Sequence, residues 1–454
     1  MRYIPHTDHD IAALLATLGL GSVDDLFAHL PEELRAQAAI TLPPGLSESG
    51  VRDRLTMLAS ANQAGAPDTF LGGGAYPHFV PVVIDQIIQR AEFATAYTPY
   101  QPEVSQGTLQ SIFEFQSLVA ILLGLDVANA SMYDGASATA EAVLMATRIL
   151  PRRATALVAR SLHPHYRRVV QTYLDGLPGV RVIELPWDAS GRIDPAALDR
   201  YLDDTVSCIV VGYPNVFGVI EDVAGIGEAA HKNSALLVTA TTEAVALGLL
   251  KPPGELGADM AVAEGQSLGI PLSYGGPGLG LFACRARFLR NMPGRLVGET
   301  VDHEGRRGFV LTLATREQHI RRERATSNIC TNHGLCALAA TVFLCLMGKQ
   351  GLRELAEQNV RKSHYARDLL LQIEGCRERF VAPFFNEFVI EVPNARAVWQ
   401  RLKEQHIVAG LLLEEWYPEL KDCLLLCVTE LHTRAPIERL AGEIGARGQG
   451  SGAG

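Results

Sequence analysis

Short apolar runs alternate with amphipathic stretches through the middle of the chain. The amphipathic stretches carry apolar residues at helical spacing, which predicts helices between the runs. Near-continuous apolar strands separated by helices are typical of a mostly parallel sheet covered on both faces, so the pattern predicts a doubly wound α/β fold. Ligands of such folds bind beyond the carboxyl ends of the strands. The six runs that predict strands are 155–160, 180–185, 207–212, 235–240, 259–263 and 279–284.

The two ends of the chain follow different patterns. Apolar residues at helical spacing over 10–18, and briefly over 24–30, predict a helical segment that wraps a larger body or a partner. Strand and helix patterns alternate again near the carboxyl end, as in a small α/β lobe. The predicted divisions are a helical segment at 1–60, a large domain at 61–332, a linking helix and small C-terminal lobe at 333–446, and a disordered tail at 447–454.

The composition narrows the classes of function. A chain of 454 residues with 48% hydrophobic and 20% charged residues is long enough for two lobes. The formal net charge of −10 argues against a nucleic-acid partner, because phosphate binding draws its affinity from clustered Lys and Arg. Eight cysteines, no signal peptide and no apolar run long enough to span a bilayer predict a cytoplasmic protein without a membrane partner.

A glycine-rich turn between two predicted strands, within 257–284, is a natural floor for a ligand. In enzymes that bind an aldehyde cofactor, such a turn is the kind of place that carries a Schiff-base lysine. Here the turn offers Gln266 and Ser267. The sequence contains six lysines, and none lies between Lys251 and Lys349.

A second glycine turn precedes a predicted helix over 137–150, with Ser137 placed as its N-cap. Unpaired N–H groups in the first turn of a helix attract anions, and the helix dipole adds to this attraction. Gly135, Ala136 and Ser137 could therefore hold a phosphate. As a bare pattern this is weak evidence, since most turns of this composition only cap a helix.

Two tyrosines lie in a segment that cannot continue a helix, because Pro99 and Pro102 interrupt it. The segment is predicted to be extended and to present Tyr97 and Tyr100. Aromatic residues on an ordered loop often line a site or an interface. Simple packing of the two rings explains the pattern equally well.

The remaining polar clusters favour neither a metal site nor a nucleotide site. His163, His165 and His231 have no Cys, Asp or Glu at ligand spacing, so a structural or exposed role is favoured. Cys330 and His333 are poor evidence for a thiol nucleophile, because such partners usually meet through the fold. Dinucleotide-binding and triphosphate-binding motifs do not occur.

Five long motifs stand out along the chain. They are EFATAYTPYQPEVSQGTLQSIFEFQ at 92–116, DVANASMYDGASATAEA at 126–142, PGELGADMAVAEGQSLGIP at 253–271, PGRLVGETVD at 293–302 and GFVLTLATREQHIRRERATSNICTN at 308–332. They resemble motifs of the P-protein of the glycine cleavage system, the pyridoxal-phosphate glycine decarboxylase, and in particular the α chain (subunit 1) of its two-chain bacterial form. The resemblance covers nearly the whole chain, and motifs of this length are highly specific.

The resemblance implies the aspartate-aminotransferase-like (type I) pyridoxal-phosphate transferase fold. It also implies that the cofactor anchor is lost. When the family motif is anchored on Pro271 and the glycine run 275–278, its Schiff-base lysine falls at Gln266 and the preceding histidine at Gly265. An amide nitrogen is not nucleophilic, so Gln266 cannot form an aldimine. The aspartate that should face the pyridine nitrogen is absent from 239–241, which reads Thr-Ala-Thr.

The resemblance further implies a division of labour between two chains. This chain is expected to contain no catalytic residue and to bind no cofactor or metal, with Gly135, Ala136 and Ser137 left as a vestigial phosphate cup. A homologous β subunit would hold pyridoxal phosphate, decarboxylate glycine and pass the aminomethyl group to the lipoyl arm of H-protein, within an α2β2 heterotetramer. The residues of this chain expected to reach the partner's active site are Tyr97, Tyr100, Thr326, Ser327 and Asn328.

Two alternatives stay open from the sequence. A self-sufficient pyridoxal-phosphate enzyme acting on a small amino acid would need a lysine elsewhere, and Lys251, on a proline-flanked turn, is a poor Schiff-base candidate. A regulatory or scaffolding pseudoenzyme would need no catalysis by a partner. Co-purification of a lysine-bearing homologue would decide between them.

Overall fold

The computed structural model describes residues 5–38, 40–62, 68–326, 329 and 331–446. The predicted tail at 447–454 therefore lies outside the described residues. Cα proximity separates two compact units, residues 1–65 and residues 66–454.

The helices and strands alternate through most of the chain. The helices are α1 (Asp8–Leu18), α2 (Glu32–Gln37), α3 (Glu48–Ser60), α4 (Val82–Ile88), α5 (Ala91–Ala94), α6 (Gln106–Leu123), α7 (Gly135–Ile149), α8 (Pro164–Leu174), α9 (Pro195–Tyr201), α10 (Val223–Lys232), α11 (Gln318–Arg321), α12 (Gly334–Leu370), α13 (Ala395–Glu404) and α14 (Arg434–Gly445). The strands are β1 (Asp68–Thr69), β2 (Val127–Ala128), β3 (Thr155–Ala159), β4 (Arg181–Leu185), β5 (Val206–Gly212), β6 (Leu236–Thr241), β7 (Met260–Glu264), β8 (Gly280–Cys284), β9 (Leu296–Val301), β10 (Arg307–Thr312), β11 (Arg377–Glu378), β12 (Glu387–Glu391), β13 (Ile407–Val408), β14 (Leu411–Leu412) and β15 (Cys423–Cys427).

Seven strands form the central sheet of the large domain, in the order β2-β8-β7-β6-β5-β3-β4. The strands from β7 to β4 pair in parallel, and β8 runs antiparallel to both of its neighbours. All residues of β3, β5, β6, β7 and β8 are buried, because their apolar side chains are covered on both faces. The prediction of a doubly wound, mostly parallel α/β sheet is confirmed.

The long helix α12 connects the two lobes. Its first half packs against α4 and α6 and contributes Phe343 to the core of the large domain, whereas Ala366 and Leu370 near its end belong to the core of the small lobe. Its backbone is non-helical at Gly348, where φ is +58°. By length and composition alone α12 could cross a membrane, contrary to the sequence-based expectation that no run is long enough. Its buried side chains make it a core helix of this fold.

The small lobe is built around the four-stranded antiparallel sheet β11-β12-β15-β14. The helices α12 and α14 pack together, and the buried side chains of α13, α14 and the sheet share one apolar core. The short strand β1 pairs in parallel with β13, which ties the chain at Asp68 to the small lobe. A separate antiparallel hairpin, β9-β10, packs on α6.

In the unit formed by residues 1–65, side chains cap the starts of α1, of the 3-10 turn Val23–Phe27 and of α3. Thr7, Ser22 and Ser47 each accept a backbone N–H from the turn that follows, which satisfies a donor that a helix start leaves unpaired. Among the residues of this unit that the structure describes, no helical residue is buried. The stretch predicted as a helix at 24–30 contains a five-residue 3-10 turn, Val23–Phe27.

One predicted helix start is wrong. The N-cap of α7 is Asp134, and Ser137 is the third helical residue, which completes a capping box by bonding back to the N–H of Asp134. Both residue types favour an N-cap, so the sequence left the choice between them open. The helix consequently begins two residues earlier than predicted, at Gly135.

Candidate functional site

The carboxyl ends of the parallel strands meet at one edge of the central sheet, where a doubly wound fold binds its ligands. His163 follows β3, Thr242 and Glu243 follow β6, and Gln266 follows β7. The small lobe faces this edge with Glu387 at the start of β12 and Glu430 after β15. These side chains define the candidate cleft.

Residues 72–79, here called the inner segment, run through this cleft. The N–H of Tyr76 donates to Oε1 of Gln266 at 3.3 Å, and Nε2 of Gln266 donates to the carbonyl of Ile270 at 2.6 Å. The amide of Gln266 thus bonds to the chain itself on both sides. It crosslinks the inner segment to the turn after β7.

Two glycines allow the inner segment to approach the sheet closely. Gly73 and Gly74 have φ of +67° and +99°, which other residues rarely adopt. The carbonyl of Gly73 lies 2.7 Å from Nε2 of the buried His163, and a Cβ on Gly74 would lie 3.0 Å from the same nitrogen. His163 also packs edge-on against Trp416, so its role in this structure is structural.

A buried carboxylate of the small lobe holds the inner segment from the other side. Oε1 of Glu387 accepts the N–H of Gly73 at 2.6 Å, and Oε2 accepts the hydroxyl of Tyr76 at 2.7 Å. The same hydroxyl lies 3.2 Å from Oγ1 of Thr242. Burial raises the pKa of Glu387 to about 7, against the lowering effect of the two hydrogen bonds that it accepts.

His78 closes the far end of the inner segment. Its Nε2 lies 2.8 Å from Oε2 of Glu243, and its Nδ1 lies 2.7 Å from Oε2 of Glu430. Burial opposes charging the ring, but the two carboxylates outweigh it and raise the pKa of His78 to about 10. A charged histidine between two buried carboxylates therefore joins the large domain, the inner segment and the small lobe.

The predicted phosphate cup at the start of α7 already contains a carboxylate. Oε2 of Glu264 accepts the N–H of Gly135 at 2.9 Å, and Oε1 accepts the N–H of Leu279 at 2.7 Å and that of Gln266 at 3.1 Å. The N–H of Ser137 donates to Asp134 at 2.6 Å. Burial raises the pKa of Glu264 to about 7, despite these hydrogen bonds.

The cleft does not fit pyridoxal phosphate. A phosphate at the start of α7 would have to displace Glu264, and Asp134 beside it would repel the phosphate charge. The inner segment fills the space above Gln266, which cannot form a Schiff base. On β6, Thr241 donates to the carbonyl of Tyr213, so this position offers no carboxylate to a pyridine nitrogen. Lys251 is exposed.

A second group of predicted residues lies around two cavities of the large domain. Tyr100 and Thr326 line one cavity of about 120 Å³, and Tyr97 lines another of about 180 Å³. Arg295, which directly precedes β9, lines both. We call the group formed by these four residues the outer rim.

The outer rim combines exposed tyrosines with a buried guanidinium. Tyr97 is 75% exposed and Tyr100 is 53% exposed, whereas Arg295 is 3% exposed. The backbone N–H of Thr326 donates to the carbonyl of Arg316 at 3.2 Å. The structure therefore brings Tyr97, Tyr100 and Thr326 together, and the predicted partners Ser327 and Asn328 lie outside the described residues.

Among the described residues, no group of three or more His, Cys, Asp or Glu side chains could hold a metal ion. His231 pairs with Asp259 at 2.8 Å, at the amino end of β7 and far along the strand from the candidate cleft. Cys330 lies outside the described residues. His333 bonds to the carbonyl of Gly278 at 2.6 Å.

Sequence reasoning missed the residues that fill the cleft. Glu264 ends an apolar strand, and a carboxylate at the carboxyl end of a parallel strand was a usable signal. The run Leu71-Gly-Gly-Gly74 indicates that the backbone approaches another part of the chain closely, but it does not indicate which part. Nothing in the local sequence of Arg295 pointed to its partners, since Tyr100 lies 195 residues away.

A protein-family model described as "Glycine cleavage system P-protein" matches residues 1–444 of this chain. Two proteins named "Probable glycine dehydrogenase (decarboxylating) subunit 1" are similar over nearly their whole length. The protein of Desulforamulus reducens is 51% identical over 449 residues, which cover 98% of this chain and 100% of the relative. That of Anaeromyxobacter dehalogenans is 52% identical over 447 residues, with the same coverage.

Solved structures agree with the sequence relatives. A crystal structure of glycine decarboxylase (P-protein) of the glycine cleavage system, in inhibitor-bound form, superposes with a TM-score of 0.88 at 44% identity, covering 98% of this chain and 99% of that one. Sphingosine-1-phosphate lyase of Burkholderia pseudomallei superposes with a TM-score of 0.66 at 16% identity, covering 90% of this chain and 92% of the lyase. The second likeness concerns the fold alone.

Proposed function

This chain belongs to the glycine cleavage system P-protein family, and we propose that within it this chain is the subunit that anchors no cofactor and completes the active site of a cofactor-bearing partner. It has the type I pyridoxal-phosphate transferase fold. Its role is in glycine cleavage, as a subunit of a decarboxylating glycine dehydrogenase. The family is that of the pyridoxal-phosphate-dependent glycine decarboxylase, so the question is which subunit carries the cofactor.

The main support for this proposal is that side chains of this chain itself occupy the cleft. Glu264 takes the anion position at the start of α7, and Gln266 takes the lysine position and bonds to the inner segment. The charged His78 then holds the two lobes together across the inner segment. Each of these groups would have to leave before a cofactor could enter.

The catalytic chemistry is then assigned to a homologous β subunit with a lysine in the corresponding turn. That subunit would hold pyridoxal phosphate, bind glycine, release carbon dioxide and pass the aminomethyl group to the lipoyl arm of H-protein. We further propose an α2β2 heterotetramer that works in the cytoplasm. The name "subunit 1" of the relatives supports the existence of a partner subunit.

This chain's contribution is assigned to the outer rim. We propose that Tyr97, Tyr100 and Thr326, with Ser327 and Asn328 beside them, reach the partner's active site. The support is the exposure of Tyr97 and Tyr100 and the position of Tyr97, Tyr100 and Thr326 around two cavities that share Arg295. Phenol and hydroxyl groups there can donate hydrogen bonds to a substrate carboxylate or to a cofactor phosphate held by the partner.

Reconstitution tests the proposal. Each subunit is purified separately, and the exchange of labelled carbon dioxide into glycine is measured with lipoylated H-protein and pyridoxal phosphate present. We expect exchange only in the mixture, together with a single assembly whose mass measured by light scattering gives the stoichiometry. Exchange by this chain alone, or by the β subunit alone at the rate of the mixture, would contradict the proposal.

A further inference from the structure

We infer that Arg295 is a positioning residue for the glycine decarboxylation reaction, because it holds the two segments of the outer rim in one fixed arrangement. The inference rests on the proposed function, since it concerns how this chain presents Tyr100 and Thr326 to the partner. Arg295 is only 3% exposed, although it lines both cavities, and its Nη2 and Nε donate to Tyr100 and Glu317. It therefore acts through its neighbours.

The guanidinium fixes Tyr100 by two contacts. Its Nη2 donates to the phenol oxygen of Tyr100 at 2.8 Å, and its central carbon lies 4.9 Å from the centre of the ring. The hydrogen bond sets the position of the hydroxyl, and the cation–π contact sets the plane of the ring. An exposed tyrosine on a loop would otherwise sample several rotamers.

The same guanidinium fixes the segment that leads to Thr326. Its Nε donates to Oε2 of Glu317 at 3.3 Å, and Glu317 directly precedes α11. Arg316, the neighbour of Glu317, donates to the carbonyls of Met292 and Gly294, and its own carbonyl accepts the N–H of Thr326. The residues just before Arg295 therefore anchor the backbone that carries Thr326.

The burial of this charge argues for geometry rather than for stability. A guanidinium that is 3% exposed loses its hydration, and an ion pair in such a place contributes little net stability. The planar guanidinium has N–H donors in fixed directions, so that Nη2 bonds to Tyr100 while Nε bonds to Glu317. It therefore fixes the positions of these two residues relative to each other. A lysine has one point charge on a flexible stem and cannot reproduce both contacts.

Steady-state kinetics of the reconstituted enzyme tests this role. In the mixture with wild-type β subunit, we expect Arg295→Met to lower kcat for carbon dioxide exchange by about 100-fold, since displacing a reacting-site group by roughly 1 Å costs that much. Assembly with the β subunit is expected to be unchanged. Arg295→Lys should have a kcat between those of Arg295→Met and the wild type, because lysine keeps the positive charge but cannot make both hydrogen bonds.

A double variant separates positioning from general damage. If Arg295 acts through Tyr100, Arg295→Met combined with Tyr100→Phe should lose less kcat than the product of the two single losses. If the loss of kcat in the double variant equals the product of the two single losses, the inference is overturned. It is also overturned if Arg295→Lys and Arg295→Met both show wild-type kinetics. Inactivity of the wild-type mixture would instead overturn the proposed function.

Arg153→Met is the matched control. Arg153 is also a partly buried arginine, and its Nη1 donates to the carbonyls of Val206 and Asn233 at the amino ends of the strands, on the edge of the sheet opposite to the cleft. Its replacement should lower stability by an amount comparable to Arg295→Met while leaving kcat unchanged. An equal loss of kcat in both variants would indicate a purely structural role for Arg295.

Discussion

The cleft, which the large domain and the small lobe line together, and the outer rim of the large domain have opposite properties. In the cleft, the polar side chains bond to each other: Gln266 to Tyr76 and Ile270, Glu264 to three N–H groups, and His78 to two carboxylates. On the outer rim, two tyrosines are more than half exposed beside open cavities, and only the supporting Arg295 is buried.

The difference indicates where function remains in this chain. Buried polar groups that satisfy one another stabilise a single structure and offer nothing to a ligand. Exposed aromatic and hydroxyl groups on a fixed support contribute little to stability and are available to a partner. This contrast supports the proposal that the chain has the architecture of a cofactor enzyme but uses its cleft as a structural element.

The largest predicted effect is in the cleft. His78→Phe removes the charge between Glu243 and Glu430 and leaves two buried carboxylates without a counter-ion, which we expect to lower the free energy of unfolding by about 3–5 kcal/mol. Urea unfolding measures it. Arg396→Ala, which breaks the exposed pair with Glu414, is the control and should show no change. Equal stability of His78→Phe and wild type would show that the cleft is not held in this way.

The pH dependence of stability tests the same region. Burial raises the folded-state pKa of both Glu264 and Glu387 from 4.5 to about 7. The stabilisation linked to each raised pKa is complete below pH 4.5 and is lost as the pH rises through 7. We therefore expect the free energy of unfolding to fall by up to about 3 kcal/mol per carboxyl between pH 5 and pH 8.

The variant Glu387→Gln isolates the contribution of one of these two carboxyls to the pH dependence. The amide can still accept the N–H of Gly73, and the hydroxyl of Tyr76 can accept from it while donating to Thr242. Its unfolding free energy should therefore change less with pH than that of the wild type. Superimposable pH profiles would contradict the assignment of Glu387 as a group that titrates near 7.

A smaller effect is expected at the start of α7. Glu264→Ala leaves the N–H groups of Gly135, Leu279 and Gln266 without their acceptor, which should cost about 1–3 kcal/mol. At high concentration, inorganic phosphate should then raise the melting temperature of this variant by a small amount, because Asp134 still repels it, and leave that of the wild type unchanged, because only the variant has a vacated anion position. Glu264→Gln, which refills the space, is the control. An equal response of wild type and Glu264→Ala to phosphate would argue against an internal carboxylate in the anion position.

The smallest predicted effect concerns the outer rim. Tyr97→Phe combined with Asn328→Ala should lower the carbon dioxide exchange rate of the reconstituted enzyme by about tenfold, the equivalent of one or two hydrogen bonds lost to the partner's site. The thermal stability of the isolated chain should not change. Tyr201→Phe, at the end of α9, is the control. If the double variant exchanges carbon dioxide at the wild-type rate, Tyr97 and Asn328 do not contribute to the partner's active site.

Much of the fold could be predicted because its signal is local. The strands β3, β5, β6 and β7 are short apolar runs, and the helices between them repeat apolar residues at helical spacing. The choice of Asp134 over Ser137 as an N-cap could not be predicted, since both residue types serve and neighbouring backbone geometry decides.

The contents of the cleft could not be predicted because they depend on contacts between distant parts of the sequence. Gly73 meets Glu387 across 314 residues, and Gly135 meets Glu264 across 129. The sequence shows glutamine, and not lysine, at position 266, whereas the side chains that bond to one another in the cleft can be identified only in the folded chain. The assignment of Tyr97, Tyr100 and Thr326 to a partner's site stays a prediction.

Borohydride reduction of the reconstituted enzyme with pyridoxal phosphate, followed by peptide mass spectrometry, tests the central claim most directly. The measurement is made on this chain alone, on the β subunit alone and on their assembly. We predict a reduced pyridoxyl-lysine in the β subunit and an unlabelled α chain in every sample. A stoichiometric adduct on a lysine of this chain, such as Lys251, would contradict the account and identify the chain as a cofactor enzyme in its own right.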